Sequence, residues 1–149
     1  MYKRWSVILG QLAACIMLTV PAWAGDNHNG TITDYSTGLV WLQNAGCLGM
    51  RTWADAKSSA AGLKIGTCGL TSGGLQIGGL GNWRLPTNTE LAGLQGKNLP
   101  FTNLQNAPYW SATESIMFKT SAAAVNPVTG NATTFYNKNS NHYVLAVRK

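Results

Sequence analysis

The first 24 residues constrain this chain most, because they determine which part of it folds and in which compartment. The basic pair Lys3-Arg4 precedes an apolar stretch at residues 5–20, and Ala22-Trp23-Ala24 has the small-x-small pattern of a cleavage site. The apolar stretch of 16 residues is shorter than the roughly 20 residues that span a bilayer as a helix. We therefore predict that residues 1–24 form a cleavable signal peptide and that the protein is exported to the periplasm, the cell surface or the extracellular space.

Two alternatives to simple cleavage stay open. An uncleaved stretch would serve as an N-terminal anchor. Leu12-Ala13-Ala14-Cys15 also resembles a lipoprotein cleavage box, which would make a lipidated Cys15 the first residue of the mature protein. The apolar residues 16–18 argue against lipidation, since a mature lipoprotein usually becomes polar after its cysteine. We favour cleavage after Ala24 and expect contact with a membrane only if Cys15 is lipidated.

Cleavage after Ala24 would leave residues 25–149 as a single domain, long enough to bury about two thirds of its unfolded surface. Loss of Lys3 and Arg4 lowers the formal net charge from +6 to +4, and the remaining basic residues are dispersed along the chain. Such a charge favours solubility or attraction to anionic partners. Because an exported domain seldom meets nucleic acid, we expect no nucleic-acid partner.

Removal of the first 24 residues also leaves two cysteines, Cys47 and Cys68. In an oxidising compartment two cysteines in a small domain favour a disulfide, and free thiols are the alternative. In the chain-entropy model, a disulfide that closes the loop from Cys47 to Cys68 stabilises the fold by about 3 kcal/mol.

Apolar spacing and capping residues predict two helices. Thr52 opens the first, with Asp55 three residues later, and apolar residues at helical spacing form its buried side: Trp53, Ala56, Ala60 and Leu63. Thr87 and Glu90 form a capping box that opens a second, shorter helix ending at Gly96.

Strands are predicted on both sides of these helices. Residues 31–43 alternate around a turn and indicate a hairpin whose inward residues are Ile32, Leu39 and Trp41, whereas residues 25–30 are polar and expected to be mobile. After the second helix, apolar patterns predict strands at 109–113, 117–119, 122–126, 132–136 and 142–148. The 31–41 segment is expected to pair near the last of these. Early helices and later antiparallel strands predict an α+β domain with the two helices packed on antiparallel sheets.

Five motifs, taken in order along residues 31–148, resemble the Lcl C-terminal domain family, which is named after a module of a bacterial collagen-like adhesin. They are T-G-L-V-W-L (37–42), T-W-A-D-A (52–56), N-W-R-L-P-T-x-x-E-L (82–91), Y-W-S-A-T (109–113) and Y-V-L-A-V-R (143–148).

The resemblance implies a C-type-lectin-like fold, similar also to formylglycine-generating-enzyme domains, and a role in binding sulfated polysaccharide and in adhesion. Many family members carry one cysteine in the first helix and another in the final strand. Here the corresponding places hold Ala60-Ala61 and Ala146, so Cys47 and Cys68 resemble a replacement disulfide. The calcium-binding tripeptides of calcium-dependent lectins are absent from the sequence, and neither a metal nor a cofactor is expected.

The best candidates for ligand binding lie in a polar loop beside an aromatic residue. Asn and Tyr side chains provide adaptable hydrogen bonds and stacking surface, which suits glycans or protein epitopes. An ordinary solvated hairpin loop is the competing interpretation. Lys119 and residues 115–118 are expected near this loop, and the candidate residues are Lys119, Tyr136, Asn137, Lys138, Asn139, Asn141 and His142.

Catalysis is not expected. His28 and His142 are the only histidines, the five acidic residues are scattered, and no nucleophile elbow or metalloprotease motif occurs in the sequence. The hypothesis is therefore an exported, non-enzymatic binding module for an anionic polysaccharide or a surface protein in adhesion. The alternative is a structural or interaction subunit of a cell-surface assembly such as a fimbria or a secretion apparatus. An enzyme would need a pocket that gathers Arg84, Glu90 and Glu114 with His142.

Overall fold

The computed structural model describes residues 24–73, 81–130 and 134–149, and these form an α+β domain with two antiparallel-rich sheets and two helices. The expected fold class is confirmed. Nearly all of the predicted signal peptide with Cys15, residues 74–80, and the first two residues of the strand predicted at 132–136 lie outside the described residues. No helix among the described residues is long and apolar enough to cross a membrane.

The first sheet joins the two ends of the described chain. Its order is β1-β2-β3-β9, with antiparallel pairing throughout. Val40 pairs with both Thr33 and Arg148, which confirms that the 31–41 segment lies beside the C-terminal strand. The strands are β1 (Ala24–Asp26), β2 (Thr31–Asp34), β3 (Leu39–Leu42) and β9 (Val147–Arg148).

The second sheet has the order β4-β8-β5-β6-β7. Its pairs are antiparallel except for β5 and β8, which meet in parallel at Tyr109 and Tyr143. A register shift between Trp110 and Glu114 separates β5 locally from β6. The strands are β4 (Met50–Arg51), β5 (Tyr109–Glu114), β6 (Ser121–Val125), β7 (Thr134–Asn137) and β8 (His142–Tyr143).

Both helices begin at the predicted capping residues. Thr52 caps α1 (Trp53–Ala61), whose residues Trp53, Ala56 and Ala60 are buried as expected. Thr87 and Glu90 complete a full capping box at α2 (Asn88–Ala92). The prediction that the second helix continues to Gly96 is wrong, because the chain leaves the α2 helix at Gly93.

Two strand predictions need correction. Residues 142–148 do not form one strand: His142–Tyr143 belongs to the second sheet and Val147–Arg148 to the first. Residues 144–148 are all buried where the chain crosses between the sheets. Residues 117–119 form an exposed turn rather than a strand.

The segment before β2 is ordered, contrary to the expected mobility of residues 25–30. Ala24–Asp26 pairs with β2, and Asn27 is buried with its side-chain amide donating to the hydroxyls of Thr31 and Thr33 at 2.8 and 3.0 Å. Burial of polar groups requires such partners. Consequently β2 is buried on both faces, and its polar residues are part of the interior.

The disulfide between Cys47 and Cys68 is confirmed, with a Cα–Cα distance of 5.6 Å. It ties the loop before α1 to the loop after it. Ala60 and Ala146, at the positions where the family resemblance placed a second cysteine pair, are fully buried in the core.

Candidate functional site

Three lysines gather around one carboxylate on the surface of the second sheet. Lys138 Nζ lies 2.6 Å from Glu114 Oε2 and donates to the backbone oxygen of Lys119 at 2.6 Å. The charges of Lys138, Lys57 and Lys119 all act on the Glu114 carboxyl. We call Lys57, Lys119 and Lys138 the lysine cluster; three lysines and Glu114 together have a formal charge of +2.

Trp53 is the platform under two of these lysines. The Nζ atoms of Lys57 and Lys138 lie 4.4 and 4.5 Å from the centroid of its indole ring, within the range of a cation–π interaction. The ring is fixed in turn, because its Nε1 donates to the backbone oxygen of Ser111 at 2.8 Å. The backbone of Trp53 also donates to the oxygen of Lys138 at 2.9 Å, so α1 holds the loop that carries Lys138.

The cluster keeps the Glu114 carboxylate ionised. The hydrogen bond from Lys138 is the main cause that lowers the pKa of Glu114, and the charges of Lys138, Lys57 and Lys119 add to it. Glu114 is well exposed, so solvent screens this interaction. One carboxylate among three ammonium groups leaves positive potential for an anion from outside.

The aromatic residues of the predicted site pack against one another and against Trp110. The rings of Tyr136 and His142 lie 4.2 Å apart, and His142 also meets the ring of Trp110 edge-on at 4.6 Å. Burial lowers the pKa of His142, which favours the neutral imidazole. These two residues are therefore supports for the loop more than an open stacking surface.

The asparagines of the predicted site differ in role. The side chain of Asn137 accepts the backbone N–H of Asn139 at 2.9 Å and so shapes the turn after β7. Asn139 and Asn141 are exposed. The structure thus brings Lys119 and Lys138 together, packs Tyr136 and His142 against each other and against Trp110, and leaves Asn139 and Asn141 exposed.

An apolar loop adjoins the lysine cluster. It connects β5 to β6 and exposes three consecutive large side chains, Ile116, Met117 and Phe118, at 91, 79 and 63 % of their surface. With Phe135 of β7 they line an open concavity of about 570 Å³. We call residues 116–118 the apolar loop.

Sequence reasoning missed two members of the site, Lys57 and Trp53. Trp53 was assigned to the core by its helical spacing, and it is indeed buried. The signal that could have found Lys57 is its position four residues after Trp53, on the same side of the helix.

Arg84 and Glu90 have a structural role. Their side chains form two hydrogen bonds of 2.8 Å, and the carboxylate of Glu90 also accepts the backbone N–H of Thr87. The hydrogen bond with Arg84 is the main cause that lowers the pKa of Glu90. Arg84 and Glu90 thus pair with each other, whereas Glu114 pairs with Lys138 and His142 packs on Trp110.

Comparison with protein families gives a match over most of the chain. Residues 30–148 match the model of the Lcl C-terminal domain. No curated protein matches the chain.

Proposed function

The chain belongs to the Lcl C-terminal domain family, and from that premise we propose that it is an exported, non-enzymatic binding module that recognises anionic polysaccharide through the lysine cluster. The family points to an adhesin-associated module. The single observation that carries the choice of ligand is the gathering of Lys57, Lys119 and Lys138 around one carboxylate.

The proposal of export rests on two features. The domain is closed by a disulfide, which persists in oxidising compartments. The first 24 residues have the composition of a signal peptide. Sequencing the N-terminus of the protein recovered from the producing cell would test this, and cleavage after Ala24 is the expected result.

The lysine cluster suits a repeating anion better than a single small ligand. Lys57 and Lys138 are fixed above the Trp53 ring, and the backbone of Lys119 is bound to the ammonium of Lys138. Sulfate or carboxylate groups along a polysaccharide could meet several ammonium groups at once. Exposed charges of this kind act over about 8 Å at physiological ionic strength, so the binding should weaken as salt rises.

The test is binding of the purified protein to a sulfated polysaccharide and to a neutral polysaccharide of similar length, at low and high salt. The variant Lys57→Gln/Lys119→Gln should lose at least about tenfold in affinity, which corresponds to 1.4 kcal/mol. The control Lys64→Gln/Lys149→Gln removes the same charge from exposed positions outside the cluster and should change affinity much less. Equal losses in both variants would mean that net charge alone, and not the cluster, attracts the ligand.

A second candidate function, an interaction subunit of a cell-surface assembly, rests on the exposure of the apolar loop. Large exposed apolar patches mark interaction surfaces. Co-purification of a stable partner from the cell envelope, lost on substitution of Phe118, would support this function over polysaccharide binding.

A further inference from the structure

We propose that the apolar loop docks the domain on a lipid bilayer that carries anionic headgroups, with the lysine cluster facing those headgroups. This inference shares with the proposed function only the binding of anions by the lysine cluster. The residues that would enter the bilayer are Ile116, Met117 and Phe118. Three steps carry it: the rigidity of the loop, the exposure of its side chains and the position of the charges.

The backbone of the apolar loop is pinned by Ser115. Its N–H donates to the oxygen of Ser121 at 3.0 Å, and its hydroxyl accepts the N–H of Phe118 at 3.0 Å. Ser121 in turn donates to the oxygen of Phe118 at 2.9 Å. Because the turn is closed by these bonds, the apolar side chains are held outward instead of folding back onto the sheet.

The exposure of these apolar side chains to water is unfavourable in free energy, and transfer to an apolar environment would remove this unfavourable term. Ile116 is almost fully exposed, and the core already accommodates the large side chains of both sheets. Each square ångström of apolar surface transferred from water contributes about 25 cal/mol, so burial of three such side chains is a substantial driving force. On the described surface these are the most exposed large apolar side chains, and they are consecutive.

The positive charges lie at the base of the loop. Lys119 follows the apolar residues directly, and Lys138 binds the backbone of Lys119 and the carboxylate of Glu114, where β5 ends. Lys138 N also donates to the oxygen of Thr120 at 2.8 Å. An apolar tip with ammonium groups just behind it matches the order of a bilayer surface, in which hydrocarbon lies below a layer of phosphates.

This charge arrangement favours a bilayer over a protein partner. An apolar groove on a protein would bury the tip, but the lysines at its base would then need a matching acidic rim. A bilayer that contains anionic lipid supplies both parts at once, and lysines near such a surface are each attracted to it. The loop offers no transmembrane segment, so the contact would be peripheral and salt-sensitive.

The test is co-sedimentation of the protein with vesicles of phosphatidylcholine alone and with vesicles that contain phosphatidylglycerol. We expect partition onto the phosphatidylglycerol vesicles, reduced at least about tenfold by Ile116→Ser/Phe118→Ser, since loss of apolar burial acts directly on partition. Val128→Ser, which changes another exposed apolar side chain, is the matched control. Absence of partition, or partition that is equal in the loop variant, would overturn the inference.

A second readout protects the test against a variant that folds poorly. Phe118→Trp adds a tryptophan to the loop beside the native tryptophans. The emission that this variant gains over the wild-type protein should shift to the blue with phosphatidylglycerol vesicles and stay unchanged with phosphatidylcholine. No shift would also overturn the inference.

Soluble sulfated polysaccharide separates this inference from the proposed function. Binding of the polysaccharide without vesicle partition would leave the proposed function and reject bilayer docking. Vesicle partition that depends on the loop, without polysaccharide binding, would do the reverse.

Discussion

The guanidinium of Arg148 lies 5.2 Å from the centre of the Trp83 ring, and Arg148 is only 1 % exposed. Among the described residues, neither the three nitrogens of this guanidinium nor the Trp83 Nε1 has a hydrogen-bond partner. Burial lowers the pKa of Arg148, and all five acidic side chains have hydrogen-bond partners other than Arg148. Within the described part of the chain, the contact that accommodates this charge is therefore the face of the Trp83 ring.

We expect Arg148→Met to leave the stability unchanged or to raise it by about 1 kcal/mol, because an unpaired buried charge pays desolvation without a compensating ion pair. The change in the free energy of unfolding would be measured by urea denaturation, monitored by fluorescence. The matched control is Arg84→Met, which breaks the bidentate pair with Glu90 and should lower the stability by about 1 kcal/mol. A loss for Arg148→Met larger than that for Arg84→Met would show that Arg148 has a partner.

Glu114→Gln should tighten binding to a sulfated polysaccharide by a few-fold, since it removes the single carboxylate from the lysine cluster. Titration of the immobilised polysaccharide at low salt would measure the change. Asp26→Asn removes the same charge from β1 in the other sheet and should have a smaller effect. Weaker binding of Glu114→Gln would indicate that the carboxylate positions Lys138 more than it repels the ligand.

The stability of the domain should fall as the pH drops below the ordinary His pKa of 6.5. Burial lowers the pKa of folded His142, so the unfolded chain takes up a proton first in this range. The contribution of neutral His142 to the free energy of unfolding is therefore fully present above pH 6.5. It is lost as the pH falls toward the pKa of His142 in the folded state. Thermal unfolding between pH 5 and pH 8 should show a shallower slope for His142→Phe; an unchanged slope would assign the effect to another group.

Reduction of the disulfide should lower the free energy of unfolding by about 3 kcal/mol. The open loop between the two cysteines raises the conformational entropy of the unfolded chain and so stabilises the unfolded state. Cys47→Ser/Cys68→Ser should behave like the reduced protein. A melting temperature that is indifferent to reductant would mean that the loops around α1 hold without the bridge.

The sequence predicted those parts of the fold that depend on local chemistry. The caps at Thr52 and Thr87 and the buried stripe of α1 follow from side chains within one helical turn, and all are confirmed. The last segment was predicted to be one strand because its apolar residues fit a strand pattern. Residues 144–146 are instead a buried connection between the two sheets, and an apolar run does not distinguish such a connection from a buried strand.

In the candidate site, too, the features that depend on nearby residues were predicted and those that depend on distant contacts were not. Lys138 was predicted as a site residue because it lies in a polar loop without periodicity, and Lys119 because it was expected near that loop. The proximity of Lys138 to Lys57 arises from a contact between α1 and the turn after β7. Such pairings over long sequence distance leave no local pattern. The sequence predicts a strand at 117–119 because consecutive apolar residues are typical of a buried strand. In the structure the same residues form a turn and are exposed to solvent.

The crossing of the C-terminal segment from one sheet to the other has a consequence for biogenesis. β3 gains its second neighbour, and Arg84 its backbone partner at Val147, only from residues near position 148. A chain that is threaded through a membrane from its N-terminus would therefore stay open, with β3 as an unpaired edge, until that segment has emerged. The domain would close only after residues 147–148 have emerged.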